Sequence, residues 1–373
     1  MLDASNAVSL TVDGLDYGGW KNVEISAGLE RQARDFNLGI TWKWPGQPIA
    51  IPIRQGSKCQ VRIGGDLVLT GWVFASPISY DDKSITLTIS GRSLTADLVD
   101  CAAVNKPGQW NGQGVLAIVK ALAAPYGIKV RSEIADTGTL SDHTIEPGET
   151  VFESIDRLLT LFRVFSTDDA TGMAVLAKPG SEGWASDKLE VGRNILTGDA
   201  GLDFSGVFSE YRVLGQRSGT DTEFGEKAAE ISAVVTDDRT TRKRVMIIKE
   251  SGQLSDKLAM DRARWESVTR IGKALSTTYK VQGWRQSNGA LWKHNMLVRV
   301  VDPIIGMDRD MLISEITYSL TDSGTITTIV VGPPDSFEPE PNDRHKDRKL
   351  KKGGKADKRS EKDAGPANAA ACR

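Results

Sequence analysis

Cysteine and histidine are scarce in this chain, with three of each among 373 residues. Cys59, Cys101 and Cys372 are odd in number and far apart, which argues against a disulfide framework and against the paired spacing of a zinc site. A reducing compartment at synthesis fits that usage, and Cys59 and Cys101 read as small core residues. Long apolar runs are also missing: none reaches the roughly 18 residues of a membrane-spanning helix. The start, "MLDASNAVSL", has neither the basic opening nor the apolar stretch of a secretory signal. Charge of one sign is lacking too. A net charge of −2 gives no whole-chain signature of a nucleic-acid or membrane-surface protein.

Groups arranged for chemistry are equally hard to find. Ser141, Asp142 and His143 are consecutive in "SDHT", whereas a nucleophile–base–orienter line needs side chains converging from separate segments. His294 lies at a strand entry and His345 in a polar tail. "DYGGW" and "RIGGDL" fit hairpin turns better than a phosphate-binding loop. Asp81-Asp82, Asp168-Asp169 and Asp237-Asp238 each have turn-like neighbours and read as solvated turn acids, not as the facing carboxylates of a glycosidase. The expectation is a protein that is no enzyme and needs no cofactor or metal.

What the sequence does contain is strands. "VSLTV", "QVRIGGDLVLTGWVF" and "SITLTISG" alternate apolar and polar residues, and 1–100 reads as a first small β-barrel domain. The period changes near residue 112. Val115, Leu116, Ile118, Val119 and Leu122 share a helical face, which Pro125 and Gly127 end. Thr150 and Glu153 form an S/T-x-x-E capping box ahead of the stripe Val151, Ile155, Leu158, Leu159 and Phe162. With the strands "IKVRS", "FRVFST" and "MAVLAKPG", residues 101–180 read as a small α/β unit. Strands return over 181–335, a second β-barrel domain interrupted by a helix near 254–276 with Leu258, Trp265, Val268, Ile271 and Leu275 on one face. Residues 336–373, with eleven basic and seven acidic side chains, read as a disordered basic tail of charge +4, leaving −6 on the body. The fold class is therefore mainly β with α+β insertions.

Two features bear on partners. Among nine tryptophans, Trp42 and Trp44 in "TWKWPG" and Trp110 in "GQWNGQG" have turn neighbours and read as partner-interface residues, while Trp72, Trp265 and Trp284 read as core. "RTTRKRV", residues 239–245, is the densest basic run of the body. With Asp237 and Asp238 beside it, it reads as a solvated loop ahead of a phosphate contact.

The stretch "TIEPGETVFESIDRLLTLFRV" resembles the opening of a LysM module, a unit that grips peptidoglycan; a rigid spacer is the favoured reading here. A wider resemblance covers 1–335. It rests on "TYKVQGWRQSNGALWKHNMLVRVVDPIIGMDRDMLISEITYSLTDSGTITTIVVGPPDSF", on "VDGLDYGGWKNVEISAGLERQARDFNL" and on "NKPGQWNGQG". In order and spacing these resemble the baseplate hub proteins of contractile-tailed phages, nearest the Mu type. The resemblance implies a structural virion protein made in the host cytoplasm. It implies a homotrimer whose paired β-barrels form a pseudo-sixfold ring between tail tube protein and central spike protein, beside other baseplate proteins, with a channel for passing DNA. Weak peptidoglycan contact would come from the LysM-like unit. The competing readings are a peptidoglycan-binding or hydrolysing tail-tip protein and a nucleic-acid-binding β-barrel.

Overall fold

Strand alternation in the sequence becomes burial alternation in space. In β1 (Val8–Val12), Val8, Leu10 and Val12 are buried while Ser9 and Thr11 between them are not, because successive side chains leave opposite faces of a strand. The computed structural model describes residues 4–41, 53–80, 85–135, 138–216, 230–253, 255–322 and 324–341. After β1 the first β region contains β2 (Leu15–Tyr17), β3 (Asn22–Gly28), β4 (Asp35–Thr41), β5 (Lys58–Ile63), β6 (Asp66–Ala75), β7 (Ile78–Tyr80) and β8 (Ile85–Ser93).

The α/β unit follows: α1 (Ala96–Asp100), β9 (Gln109–Gly114), α2 (Val115–Ala123), β10 (Val130–Ser132), β11 (Thr139–Thr144), α3 (Val151–Thr160), β12 (Phe165–Asp168) and β13 (Ala174–Ala177). The capping box is formed at α3. Thr150 Oγ1 accepts from the Glu153 amide, and the Glu153 carboxylate accepts from the Thr150 amide at 2.7 Å. Val151, Ile155, Leu158 and Leu159 are fully buried in a core of the unit's own, against α2 and β13. Gly127, at φ 67°, ends the turn after α2 as the sequence expects.

The chain then makes β14 (Leu189–Glu190), β15 (Ile195–Ala200), β16 (Glu210–Gln216), β17 (Glu230–Thr236), β18 (Val245–Gln253), α4 (Asp256–Leu275), β19 (Thr277–Gln282), β20 (Leu297–Asp302), β21 (Met307–Thr321) and β22 (Gly324–Gly332). β16 to β18 form a separate three-stranded sheet whose inner face packs on α4. The remaining strands of this region join those of the first. β21 pairs antiparallel with β3, from Glu315 opposite Gly28 to Leu320 opposite Val23, so one fourteen-stranded sheet runs through both regions.

The fold is mainly β, as expected, but its sheets are open: hydrogen bonding in the large one runs from β15 to β2 without closing among the described residues. Alternation says which face of a strand is buried. It does not say where a sheet edge finds its partner. A single core, from Val8 to Val331, fills both regions.

Two local expectations need correction. On α4 the buried positions are Ala259, Ala263, Glu266, Ser267, Ile271, Gly272 and Ala274, so Ile271 alone of the expected apolar stripe is fully buried and the rest of that face is small or charged. Small residues let the helix approach closely, and Glu266 is tolerated because Arg262 and Arg270, one turn either side, bond both its oxygens at 2.9 and 2.6 Å. The tail also begins later than composition implies. Residues 336–341 lie along α4: the Ser336 side chain sits over Gly272, Phe337 lies against Gly332, the Trp265 indole N–H donates to the Glu338 carbonyl at 2.7 Å, and Arg262 pairs with Glu340 at 3.0 Å. A charged, proline-containing segment reads as linker until a glycine notch and an indole donor give it a seat. The rest of the expected tail, with Cys372 and His345, lies outside the described residues.

A Cβ on Gly272 would stand 2.0 Å from the Ser336 Cβ. Elsewhere in a helix, Gly→Ala stabilises by about 1 kcal/mol. Here Gly272→Ala should destabilise the full chain, and should become neutral or stabilising in a chain ending at Asp335. Ending the chain at Pro341 should leave the thermal midpoint unchanged, whereas ending it at Asp335 should lower it by about 3 °C or more. Calorimetry on the five proteins checks both outcomes.

Candidate assembly surfaces

The surfaces of this molecule are held in place by a buried polar junction. Arg34, in the turn between β3 and β4, meets Asp168 at the end of β12. Its Nε donates to Oδ1 at 3.0 Å, its own amide to Oδ2 at 3.1 Å, and Nη2 to the Asp168 carbonyl at 2.9 Å. Thr95 adds a hydroxyl to Oδ2 at 3.3 Å, and Arg34 Nη1 reaches the Val68 carbonyl at 3.2 Å. Burial pushes the Asp168 carboxyl above the usual carboxylate range, against the pull of Arg34 and of the hydroxyl of Ser93. Beside it Gln32 donates to the Thr167 carbonyl and accepts from Ser166 Oγ, and Thr167 faces His294 Nε2 at 3.4 Å. Three chain regions thus meet at one desolvated cluster.

The acid pairs were expected to be solvated, and two of the four described acids are not. Asp168 is buried as described. Asp237 is buried as well, accepting from the Arg239 amide, the Arg239 guanidinium and Ser267 Oγ on α4. Burial opposes its charge, but those donors outweigh it and hold the carboxyl below its ordinary value. Each acid closes a turn and also finds a cation on another element or in the turn itself, which a single-segment reading cannot reveal. Asp169 does behave as a turn acid, accepting from the amides of Thr171 and Met173. Asp81 and Asp82 lie outside the described residues.

The described histidines, His143 and His294, and Cys59 are buried side chains. His143 is buried with its Nε2 2.9 Å from Ser154 Oγ, inside the α/β unit and away from solvent. Burial drives His294 down to about 3, so it is neutral at physiological pH. Burial raises the Cys59 thiol to about 12. Among the described residues no group of three or more His, Cys, Asp or Glu side chains is placed to hold a metal ion. A cleft of about 220 Å³ lies between the end of β3, α4 and Ser336, with Glu30, Arg31, Thr269 and Lys273 on its walls. It is smaller than ordinary small-molecule sites.

Exposed apolar side chains are the conspicuous surface feature. Ile304 is 80% exposed at the tip of the β20–β21 hairpin. Buried Asp302 fixes that tip, accepting from the amides of Ile304 and Ile305 and from the Tyr279 hydroxyl. Trp184 is 57% exposed. Of the tryptophans read as interface residues, Trp110 is buried in the α/β unit, opposite His143 in the β9–β11 pair and 6.0 Å from its ring. The glycines around it shape a strand, not an exposed turn. Trp42 and Trp44 lie outside the described residues. Trp184, in "SEGWAS", has the same turn-like neighbours and was the aromatic to choose by that criterion. The basic run 239–245 crosses from β17 to β18. Arg239 pairs with Asp237, and Arg244 donates to the carbonyls of Phe204 and Ser205.

Three family descriptions match this chain in order: the Mu phage baseplate assembly protein GpP-like N-terminal domain over 7–93, the second domain of baseplate hub protein gp44-like proteins over 95–178, and the fourth domain of Mu phage baseplate assembly protein GpP over 255–340. Baseplate hub protein gp44 of Escherichia phage Mu is 33% identical over 94% of this chain and 93% of its own. The crystal structure of a 43 kDa tail protein from prophage MuSo2 of Shewanella oneidensis is similar with a TM-score of 0.80 and 34% identity, covering 89% of this chain and 99% of that one. A tail protein from Neisseria meningitidis shares the fold, with a TM-score of 0.72 and 24% identity over 88% and 98% of the two chains.

Removing the carboxylate from the junction leaves Arg34 desolvated and unpaired. Asp168→Ala should cost about 3–5 kcal/mol in chemical denaturation, the range for breaking a buried pair. The His294 contribution has a definite sign. Its folded value is depressed, so its stabilisation is complete above the unfolded value near 6.5 and is lost as pH falls toward 3. Relative to a His294→Gln variant, the native chain should lose about 1.4 kcal/mol per pH unit between pH 6 and 4. Urea titrations of both proteins across that range measure the difference.

Proposed function

The chain belongs to the Mu-type baseplate hub family, and from that premise we propose that it is the structural hub at the tip of a phage tail. In this reading it is a virion component made in the host cytoplasm and it catalyses nothing. Three copies form a ring that joins the tail tube protein to the central spike protein, contacts other baseplate proteins, and leaves a channel for DNA entering the host.

The observation that carries the reading is the pairing of β3 with β21. It sets the two β regions side by side in one sheet within a single polypeptide. A threefold ring of such chains offers six lobes, and that is what a sixfold tube needs on one side while a threefold spike meets the other. The division into a first β domain over 1–100, an α/β unit over 101–180 and a second β domain over 181–335 belongs to the same proposal. The separate core of the α/β unit supports it. That unit acts as a spacer held by Asp168, and not as a hydrolase, since its one Ser–His contact is sealed in its core.

The proposal predicts a trimer by light scattering at about 10–100 µM and a ring with six lobes in projection. It also predicts weak DNA binding. Residues 1–341 carry −8 by composition, and a conduit gains nothing from holding its cargo, because each phosphate-neutralising cation adds salt-sensitive affinity. A chain ending at Pro341 should bind duplex DNA no tighter than about 10 µM at physiological salt. Submicromolar binding would favour the nucleic-acid-binding reading instead.

A further inference from the structure

Two surfaces of the same chain are left open in ways that a finished fold avoids. The first is the outer face of the β16–β18 sheet. Along β18 and the residue pair before it, Arg244, Met246 and Ile248 turn toward α4, while Lys243, Val245, Ile247 and Lys249 turn outward. Ile247 is 55% exposed and Val234 on β17 is exposed as well, the two standing on either side of Arg212 on the central strand β16. Apolar side chains of the two outer strands thus frame Arg212, and Lys243 and Lys249 lie at the ends of β18's outward row. Its acid, Glu210, is already paired with Arg212.

The second is the border of the large sheet. β15 is an edge strand, paired with β19 on one side and touched on the other among the described residues only by a single bridge from Val191 to Ile195, and no residue in it is fully buried. Ordinary edges are guarded by lysine, proline or a covering loop. This one carries Leu196, 52% exposed, and a single charge, Asp199, with no ion-pair partner among the described residues. Leu202, Asp203 and Phe204 follow, the two apolar ones exposed. An edge strand open on both faces, then acidic and apolar positions in succession, is the complement of the first surface in both polarity and charge.

We propose that these two surfaces are one subunit contact: the outer face of the β16–β18 sheet covers the β15 border of a second copy of this chain. The inference rests on the ring reading above and names the surfaces that would close it. The contact is heterologous, so it generates a ring and not a two-fold dimer. Within one chain the two surfaces adjoin, because Arg244, immediately before β18, donates to the carbonyls of Phe204 and Ser205. A protomer in a ring of three is a wedge whose two contact faces meet near the axis, which suits adjoining surfaces. A three-stranded sheet of this length offers roughly 350 Å² on one face. A standard interface needs about 800 Å² per partner, so this contact is the apolar centre of a larger one. A nucleic acid is the less suitable occupant, because the central Arg212 is already paired with Glu210 and its exposed neighbours Val234, Val245 and Ile247 are aliphatic, not the aromatics of a strand binder.

The test is light scattering with increasing concentration on the full chain and four variants: Ile247→Lys, Lys249→Glu, Asp199→Lys, and the last two combined. The expected result is a native trimer, with Ile247→Lys raising the half-assembly concentration at least about tenfold. Each charge reversal alone should weaken assembly, and the combined reversal should restore it to within about threefold of native. Circular dichroism confirms that each variant folds, and the charge pair decides the matter should Ile247→Lys not fold. A native trimer whose variants all assemble like the native protein overturns this contact and leaves the ring reading intact. A native chain still monomeric at about 100 µM overturns both. Unchanged assembly with duplex DNA binding lost in Lys249→Glu assigns the face to nucleic acid instead.

Discussion

The architecture depends on one desolvated ion pair. Arg34 and Asp168 come from regions 134 residues apart and meet with both charges largely removed from water. Such a pair recovers its desolvation cost only with good geometry and with the remaining donors and acceptors filled. Here they are: the carboxylate accepts from an amide, a guanidinium and a hydroxyl, and the guanidinium also serves two carbonyls. An apolar contact of similar area would hold the α/β unit on the frame, but it would tolerate sliding. Directional bonds fix where that unit stands, and the neighbouring contacts of Gln32 with Thr167 and of Thr167 with His294 extend the same fixed geometry to the C-terminal region.

The frame beneath that junction is a long-range structure. Ser26 on β3 and Thr317 on β21 share a hydrogen bond across 291 residues, so the large sheet cannot form until nearly the whole chain is present. The α/β unit is different. Its core is drawn from Leu98 to Leu176, with Leu94 just outside that span packed against it. The expected order is local folding of that unit first and closure of the frame last, with the Arg34–Asp168 pair made at docking. The strap along α4 fits the same logic. Ser336 to Pro341 is the last described segment, and it lies on the helix that backs the small sheet, so the small sheet's support is completed only at the end of the chain.

How much of this the sequence contains follows from the range of each interaction. The capping box at Thr150 and Glu153, the stripe on α3 and the alternation in β1 and β8 are encoded within a few residues, and they form as read. Asp168 also adjoins a turn, and nothing local separates it from Asp169; what holds it buried is Arg34, far away in sequence. Trp110 looked exposed because glycines flank it, yet those glycines allow a strand to pass over His143. The face of α4 was misplaced because its partners are a sheet on one side and a strap on the other, so small and charged positions are buried ahead of Trp265 and Leu258. The β3–β21 pairing leaves no local mark at all. The outer face of β18 does: lysine, valine, isoleucine and lysine at every second position is legible alternation, but with the sign of burial reversed from what a monomer requires.

That reversal bears on the ring proposed above. In that proposal a joint between a sixfold and a threefold structure has to hold its lobes at even angular spacing, and a flexible linker between two lobes would let the spacing wander by the linker's own freedom. Backbone pairing between β3 and β21 removes that freedom: a shift of one residue would turn every side chain of β3 to the wrong face of the shared core. The angle inside each chain is then set by the sheet, and assembly has only to set the angle between chains. A stiff protomer loses little conformational freedom on docking, so modest apolar centres such as that around Ile247, supplemented by opposite charges, can suffice where a jointed protomer would need far larger ones. In the proposed ring, the stiffness that makes the strands hard to pair in sequence would lower the cost of closing each subunit contact.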